Sequence, residues 1–396
     1  MPHHPVNPDI HLLDGRFYAG DAHRHFDWMR RHAPVYWDDA SQLWGVTRHA
    51  DVMELSKRPR EFCSSGSSRP DAPAMPSMIN LDDPQHRRRR GLVSKGFTPR
   101  RVADHEPKIR RICTELLDRA VANGTFDFVH EVAAPLPMIV IGDLLGFAPD
   151  DYGMLLRCSD DLICGLSATA TPAAQDAAAR AFSEYYEYHR EVVADRRAKP
   201  PQDDLLSALV HAEIDGERLD DEALLQESLL ILVGGDETTR HVVSGGMHAL
   251  LCNPDQYRRL RATPRLVALA IEEMLRWVTP IQNMNRTATH DIELHGQSIR
   301  AGDKVLLLYP AANRDPEVFA DPNRFDVARS PNPHVAFGGY GAHFCLGASL
   351  ARLELQVMFE ELIRRDVQFE LVSDAPPPLR PSNFIVGIES LPVRVR

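Results

Sequence analysis

The run FGGYGAHFCLGASLARLE, residues 337–354, sets one cysteine between a glycine-rich approach and a stretch patterned as a long amphipathic helix. A thiol at a helix start feels the positive end of the dipole and free backbone N–H groups, both of which stabilise a thiolate. Cys345 therefore reads as a side chain prepared to be an anion, with four uses open to it: nucleophile, redox partner, metal ligand or buried structural thiol. The other cysteines, Cys63, Cys113, Cys158, Cys164 and Cys252, are scattered without CxxC spacing. Neither a disulfide framework nor a zinc site of clustered cysteines follows, so a metal at Cys345 needs a ligand set in which one thiolate suffices.

The chain has 396 residues and a net charge of −11. That length can bury a large core, and the charge argues against a nucleic-acid binder. The amino terminus, MPHHPVNPDI, lacks the basic start and apolar stretch of a secretory signal, and no run approaches the roughly 18–20 apolar residues of a membrane span. A cytoplasmic protein with no membrane span is expected. The basic run HRRRRGLVSKGFTPRR at 86–101 is a local exception to the acidic balance.

Helical periodicity dominates from about residue 85, most clearly at 223–251 and 345–365. Strand-like pieces are fewer: APVYWDD and LWGVTRH near the start, IELHGQSIRAGDKVLLL after Arg286, and VQFEL with ESLPVRVR at the end. The predicted class is mainly α with small β-sheets. The segment 64–84 is too long and too rich in Pro and Ser for a plain connector, and Met75, Met78 and Ile79 make it a candidate substrate loop. The segment 167–179, between helices expected near 152–166 and 175–198, is a candidate lid.

The helix at 223–251 is apolar in its middle and then places Asp236, Glu237, Thr238 and Thr239 directly after Gly234 and Gly235. Acids are costly in a buried helix, glycines weaken it, and a threonine hydroxyl competes for backbone carbonyls. A groove edged by acid and alcohol is the functional reading. In EEMLRW, Glu273 and Arg276 lie three apart on one helical face and can pair. Further on, FADPNRFDVAR supplies Arg324 ahead of the cysteine loop.

The order and spacing of these segments strongly resemble the cytochrome P450 haem-thiolate monooxygenases, from about residue 10 to the end. The resemblance implies a single domain over 1–396 in that fold, with haem b held between the 223–251 helix and the 337–347 loop and O2 as co-substrate. Cys345 is then the axial metal ligand, Glu237 and Thr238 the catalytic acid–alcohol pair, and Glu273, Arg276 and Arg324 the structural triad. The glycines Gly338, Gly341 and Gly347 would let backbone N–H groups approach the sulfur, with Phe337 beside them. The haem propionates need cations: His86 and Arg90 share a helical face at i, i+4, and Arg286 and His343 match the family's other propionate positions. Arg87, Arg88 and Arg89 would dock an acidic ferredoxin, served by a ferredoxin reductase, both as separate chains.

A haem sensor has no use for an acid–alcohol pair, and a zinc or thiol enzyme would need ligands or a base that no motif supplies. Within the family the chain is most similar to the actinobacterial branch that hydroxylates the terminal carbon of the cholesterol side chain, through AAPLPMIVIGDLLG (133–146), IDGERL (214–219), LLILVGGDETTRH (229–241) and LRPSNFIVGIESLPV (379–393). The expected apolar pocket draws on Met75, Met78, Ile79, Ile231, Gly235, Val278, Ile281, Met284, Phe384 and Ile385, and suits a sterol such as cholesterol or cholest-4-en-3-one. The alternative is the same chemistry on a terpenoid, a branched fatty acid or a macrolide.

Overall fold

A computed structural model describes residues 4–165, 170–214, 217–365 and 367–396. Its spine is the helix Asp221–Cys252, started by Asp220, whose carboxylate accepts the Ala223 N–H at 2.8 Å. Buried residues lie on every side of this helix, as expected of one apolar all round. The helices Pro135–Leu145, Tyr152–Gly165, Val267–Val278 and Ala348–Arg364 pack around it.

A five-stranded sheet forms a second layer. Its order is Val35–Asp38, Leu43–Val46, Lys304–Leu308, Asn283–Ala288 and Phe62–Cys63, antiparallel except where Lys304–Leu308 runs parallel to Leu43–Val46. Leu306 sits opposite both Gly45 and Asn285. Gly45 is required there, because a Cβ would lie 2.6 Å from Leu12 Cδ1. A smaller sheet joins Phe369–Leu371, Pro392–Val395 and Thr125–Asp127. Each strand-like piece read from the sequence becomes a paired strand.

Two boundaries differ from expectation. The helix Pro172–Ala198 starts inside the expected lid, because Thr171 caps it by accepting the Ala174 N–H and Pro172 fits the first turn. Within the 167–179 segment, residues 167–169 lie outside the described residues, as do 215 and 216 of IDGERL. The helix after Cys345 starts at Ala348, with Gly347 as its cap, which leaves the cysteine three residues ahead of the first turn. The 64–84 segment is pinned to itself: Asp82 accepts the N–H groups of Ser64 (2.9 Å) and Ser65 (3.1 Å), and Asn80 Oδ1 accepts that of Ser68 (2.7 Å). Among the described residues no helix is long and apolar enough to cross a membrane.

Candidate active site

The ligand loop is closed by Cys345 N–H donating to Phe337 O at 2.9 Å. Gly338 has φ +93°, a conformation that favours glycine. Gly341 serves packing rather than approach to the sulfur, correcting the expectation: a Cβ on it would lie 1.7 Å from Ser56 O. The Gly347 and Ala348 N–H groups do point at the thiol. With Arg90 and Arg352 they favour the thiolate, against burial, which pushes the thiol up. Yet Cys345 is exposed. Heavy enclosure and exposure coexist only where a side chain faces an internal hollow.

The central helix opens in the same way. Gly234 is exposed in mid-helix with nothing within 4 Å of the position a Cβ would take, and Thr238 Oγ1 donates back to Gly234 O at 2.8 Å. Gly235 is not a pocket residue, because its missing Cβ would meet Ile141 at 2.9 Å. It sits roughly 100° further round the helix than Gly234, so its face meets the neighbouring helix.

Glu237 is fully buried in a cage of cations. Arg240 reaches Oε1 at 2.5 Å, Arg380 reaches Oε2 at 2.9 Å, and His241 Nε2 stands 3.5 Å from Oε2. Burial alone would raise its pKa, but these partners hold the carboxyl far below its ordinary value. Asp236, about 100° round the helix from Glu237, has both oxygens buried without a hydrogen-bond partner, and burial drives its pKa well up. Burial and the neighbouring cations thus drive these two adjacent acids in opposite directions.

On the other side of the ligand loop, His86, Arg90, Arg286 and His343 converge. The His86 and His343 rings lie 4.2 Å apart, and Arg90 donates to Phe344 O at 2.5 Å. Arg286 is buried, and the hydrogen bond it makes is to Asn285 O at 2.8 Å. His86 Nε2 is buried without a partner. Burial, Arg286, His86 and Arg90 press the His343 pKa down to about 3. A buried cation and an orphaned donor or acceptor nitrogen beside a hollow fit a dianionic group such as a haem's paired propionates.

The triad needs one correction. Glu273 pairs with Arg276 (2.7 Å) and with Arg329 Nε (2.9 Å), whereas the Arg324 side chain is exposed and only its carbonyl accepts from Arg276 (3.3 Å). The chain turns at Asp321, with φ +45°, and it is Arg329, eight residues later, that reaches Glu273. Arg89 also departs from expectation. Its guanidinium meets buried Glu227 at 3.2 Å, while Arg87 and Arg88 are exposed.

The pocket segments 278–284 and 383–386 run side by side: Gln282 N–H donates to Phe384 O (2.8 Å), Val386 N–H to Pro280 O (3.0 Å), and Ile281 bridges Ile385. Val278 packs on Gly245, where a Cβ would lie 2.7 Å away. Ile281 and Met284 pack on one apolar cluster, while Met78 and Ile231 belong to another. Met75 and Ile79 are half-buried. Phe384 lies under the Arg69 guanidinium at 4.3 Å. Sequence reasoning missed Arg240, Arg380, His241 and Glu227. Arg240 and His241 were legible at i+3 and i+4 from Glu237, but Arg380, 143 positions away, carried no local signal.

Comparisons with known proteins identify the family and the fold. The cytochrome P450 family model matches residues 163–263 and 265–395. The chain is 49% identical, over 98% of its length and 96% of the relative's, to a steroid C26-monooxygenase of Mycolicibacterium smegmatis. It is 39% identical to a methyl-branched lipid omega-hydroxylase of Mycobacterium bovis, over 93% and 90%. Among solved structures, a Mycobacterium marinum cytochrome P450 in complex with pseudoionone superposes with TM-score 0.90 at 35% identity, covering 98% of this chain and 99% of that one.

Proposed function

The chain belongs to the cytochrome P450 family and is a haem-thiolate monooxygenase, and we propose that it hydroxylates the terminal methyl of a sterol side chain, with cholesterol or cholest-4-en-3-one as substrate. The observation that carries the oxidation is the Thr238–Gly234 hydrogen bond, which sets a hydroxyl on the helix face that Gly234 leaves open, beside caged Glu237. The sterol reading is supported by the likeness to steroid C26-monooxygenases and by apolar walls at Ile231, Ile281, Met284 and Ile385.

Haem b would sit between the 337–347 loop and the central helix, where it supplies reductive activation of O2 and transfer of one oxygen atom into a C–H bond. Cys345 holds it by its thiolate, and His86, Arg90, Arg286 and His343 hold its propionates. Phe337, Gly338 and Gly347 shape the loop around the sulfur. Thr238 presents its hydroxyl to the groove and passes a proton there. Glu237, an anion in the resting cage, takes part once an arginine releases it. The terminal C–H bond is stronger than the tertiary one beside it, so the pocket must hold the chain end-on, and the segments 278–284 and 383–386 form that wall. Electrons come from an acidic ferredoxin docked on Arg87 and Arg88, itself reduced by a separate reductase.

Spectral titration of the holoenzyme with cholest-4-en-3-one, followed by product analysis with competent redox partners, tests the substrate. A high-spin shift and a terminal alcohol are expected. If neither occurs while a methyl-branched fatty acid is hydroxylated, the substrate is a branched lipid instead. Thr238→Ala should keep substrate binding and divert reducing equivalents to peroxide; unchanged coupling to product would remove Thr238 from proton delivery.

A further inference from the structure

Glu227 lies in the apolar first half of the central helix and has no part in the chemistry described above. It is completely buried. Its Oε1 accepts from the Met78 N–H at 2.8 Å and from Arg89 Nη1 at 3.2 Å, and Oε2 has no partner. A buried carboxylate that takes a backbone N–H from a distant loop is costly unless the contact is needed.

Its position says what the contact does. Glu227, Ile231, Gly234 and Thr238 recur at intervals of four, three and four, so they share one face of the helix. Gly234 and Thr238 mark that face as the one opening on the hollow. At the helical rise, Glu227 stands about 16 Å from Thr238, comparable to the length of a sterol. The loop it holds carries Met75, Met78 and Ile79, with a 3-10 turn over Met78–Asn80. Arg89 is next to Arg90 of the cation cluster, so the same contact ties the loop to the helix Gln85–Val93.

We propose that Glu227 is a positioning residue that seats the 75–80 turn on the central helix and so fixes the far end of the substrate pocket. Its bearing on product choice rests on the sterol reading above, whereas the seat itself does not. Among the described residues, Arg89 is the charged side chain that acts on Glu227, from the helix Gln85–Val93, and Met78 faces it with an N–H. Burial pushes the Glu227 pKa up to about 7 against both partners. Because this lies above the 4.5 of a carboxyl in water, the seat is tightest below neutrality, where Glu227 is protonated and still accepts from Met78, and loosens as the pH rises through 7.

Hydrogen exchange of the peptide spanning 75–81, in the full-length holoenzyme at pH 6 and pH 8 and corrected for intrinsic rates, tests this. Glu227→Leu should exchange about tenfold faster than the parent at pH 6, and Glu227→Gln should lose the difference in protection between the two pH values. Parental protection in a folded Glu227→Leu overturns the proposal. Should that variant not fold, Glu227→Gln decides: a parental pH response overturns it, and a flat one upholds it. With cholest-4-en-3-one, Glu227→Leu, which removes the acceptor for the Met78 N–H, should shift product from the terminal to the tertiary carbon at pH 6. A parent that does not oxidise the sterol removes the substrate reading and leaves the exchange result standing.

Discussion

Two clusters of basic side chains flank the ligand loop, and they are built in opposite ways. At Glu273 every lone pair is engaged: Oε1 accepts from Arg276 Nη2 and the Asp326 N–H, and Oε2 from Arg276 Nε, Arg329 Nε and Asn332 Nδ2, all at 2.7–3.2 Å. Arg276 spends its remaining donors on the Asn313, Pro322 and Arg324 carbonyls. At His86, Arg90, Arg286 and His343 two arginines and two histidines face each other, with Asp83, 3.6 Å from His86, and Asp82 as the nearby carboxylates. A closed network stabilises the fold as it stands, whereas an open one lowers the stability of the empty protein and is completed by an anion.

The contrast can be broken most directly at Glu273. Glu273→Ala leaves Arg276 and Arg329 without their carboxylate and should cost about 3–5 kcal/mol, read by denaturant unfolding. A cost below about 1 kcal/mol would show that the closed cluster is not structural. Arg286→Leu is the counterpart in the open cluster. It should leave the apoprotein as stable as the parent or more so, while weakening haem retention by roughly 10- to 100-fold, measured by transfer to apomyoglobin. Destabilised apoprotein with parental haem retention would merge the two clusters into one kind.

A pH experiment sharpens the comparison. Glu272, half-buried, is drawn down to about 2 by Arg352 and His334 against the effect of burial. Because its folded value lies below the unfolded 4.5, its stabilisation is present above pH 4.5 and lost as the pH falls toward 2. Glu272→Gln should remove about 1–2 kcal/mol of that acid sensitivity, seen by urea titration at pH 6 and pH 3. The smallest effect separates two arginines five residues apart. Arg329→Ala should cost about 1–3 kcal/mol and Arg324→Ala less than about 0.5, and the reverse order by thermal melting would return Arg324 to the triad.

Chemistry carried on one local stretch was legible without coordinates. The GGDETT interruption of an apolar helix located the groove, because an acid and an alcohol inside a buried helix have no cheap structural reason to be there. The cysteine loop was marked by its glycines, and His86 and Arg90 lie on one helix near each other, as their spacing required. The strands near 35–46 and 292–308 were set by alternation and turn residues. Such signals are local, since they arise from backbone conformation and the facing of side chains along one element.

What only the tertiary structure decided is where a long side chain goes once elements pack. Nothing in FADPNRFDVAR tells Arg324 from Arg329; the fold aims Arg329 at Glu273 and Arg324 at solvent. Gly234 and Gly235 are identical in sequence, and the 100° between successive residues opens one to the hollow and presses the other on Ile141. Arg380 reaches Glu237 and Arg89 reaches Glu227 across 143 and 138 positions. These pairings are long-range, and burial makes them matter: a carboxylate removed from water must find its cations wherever the fold brings them.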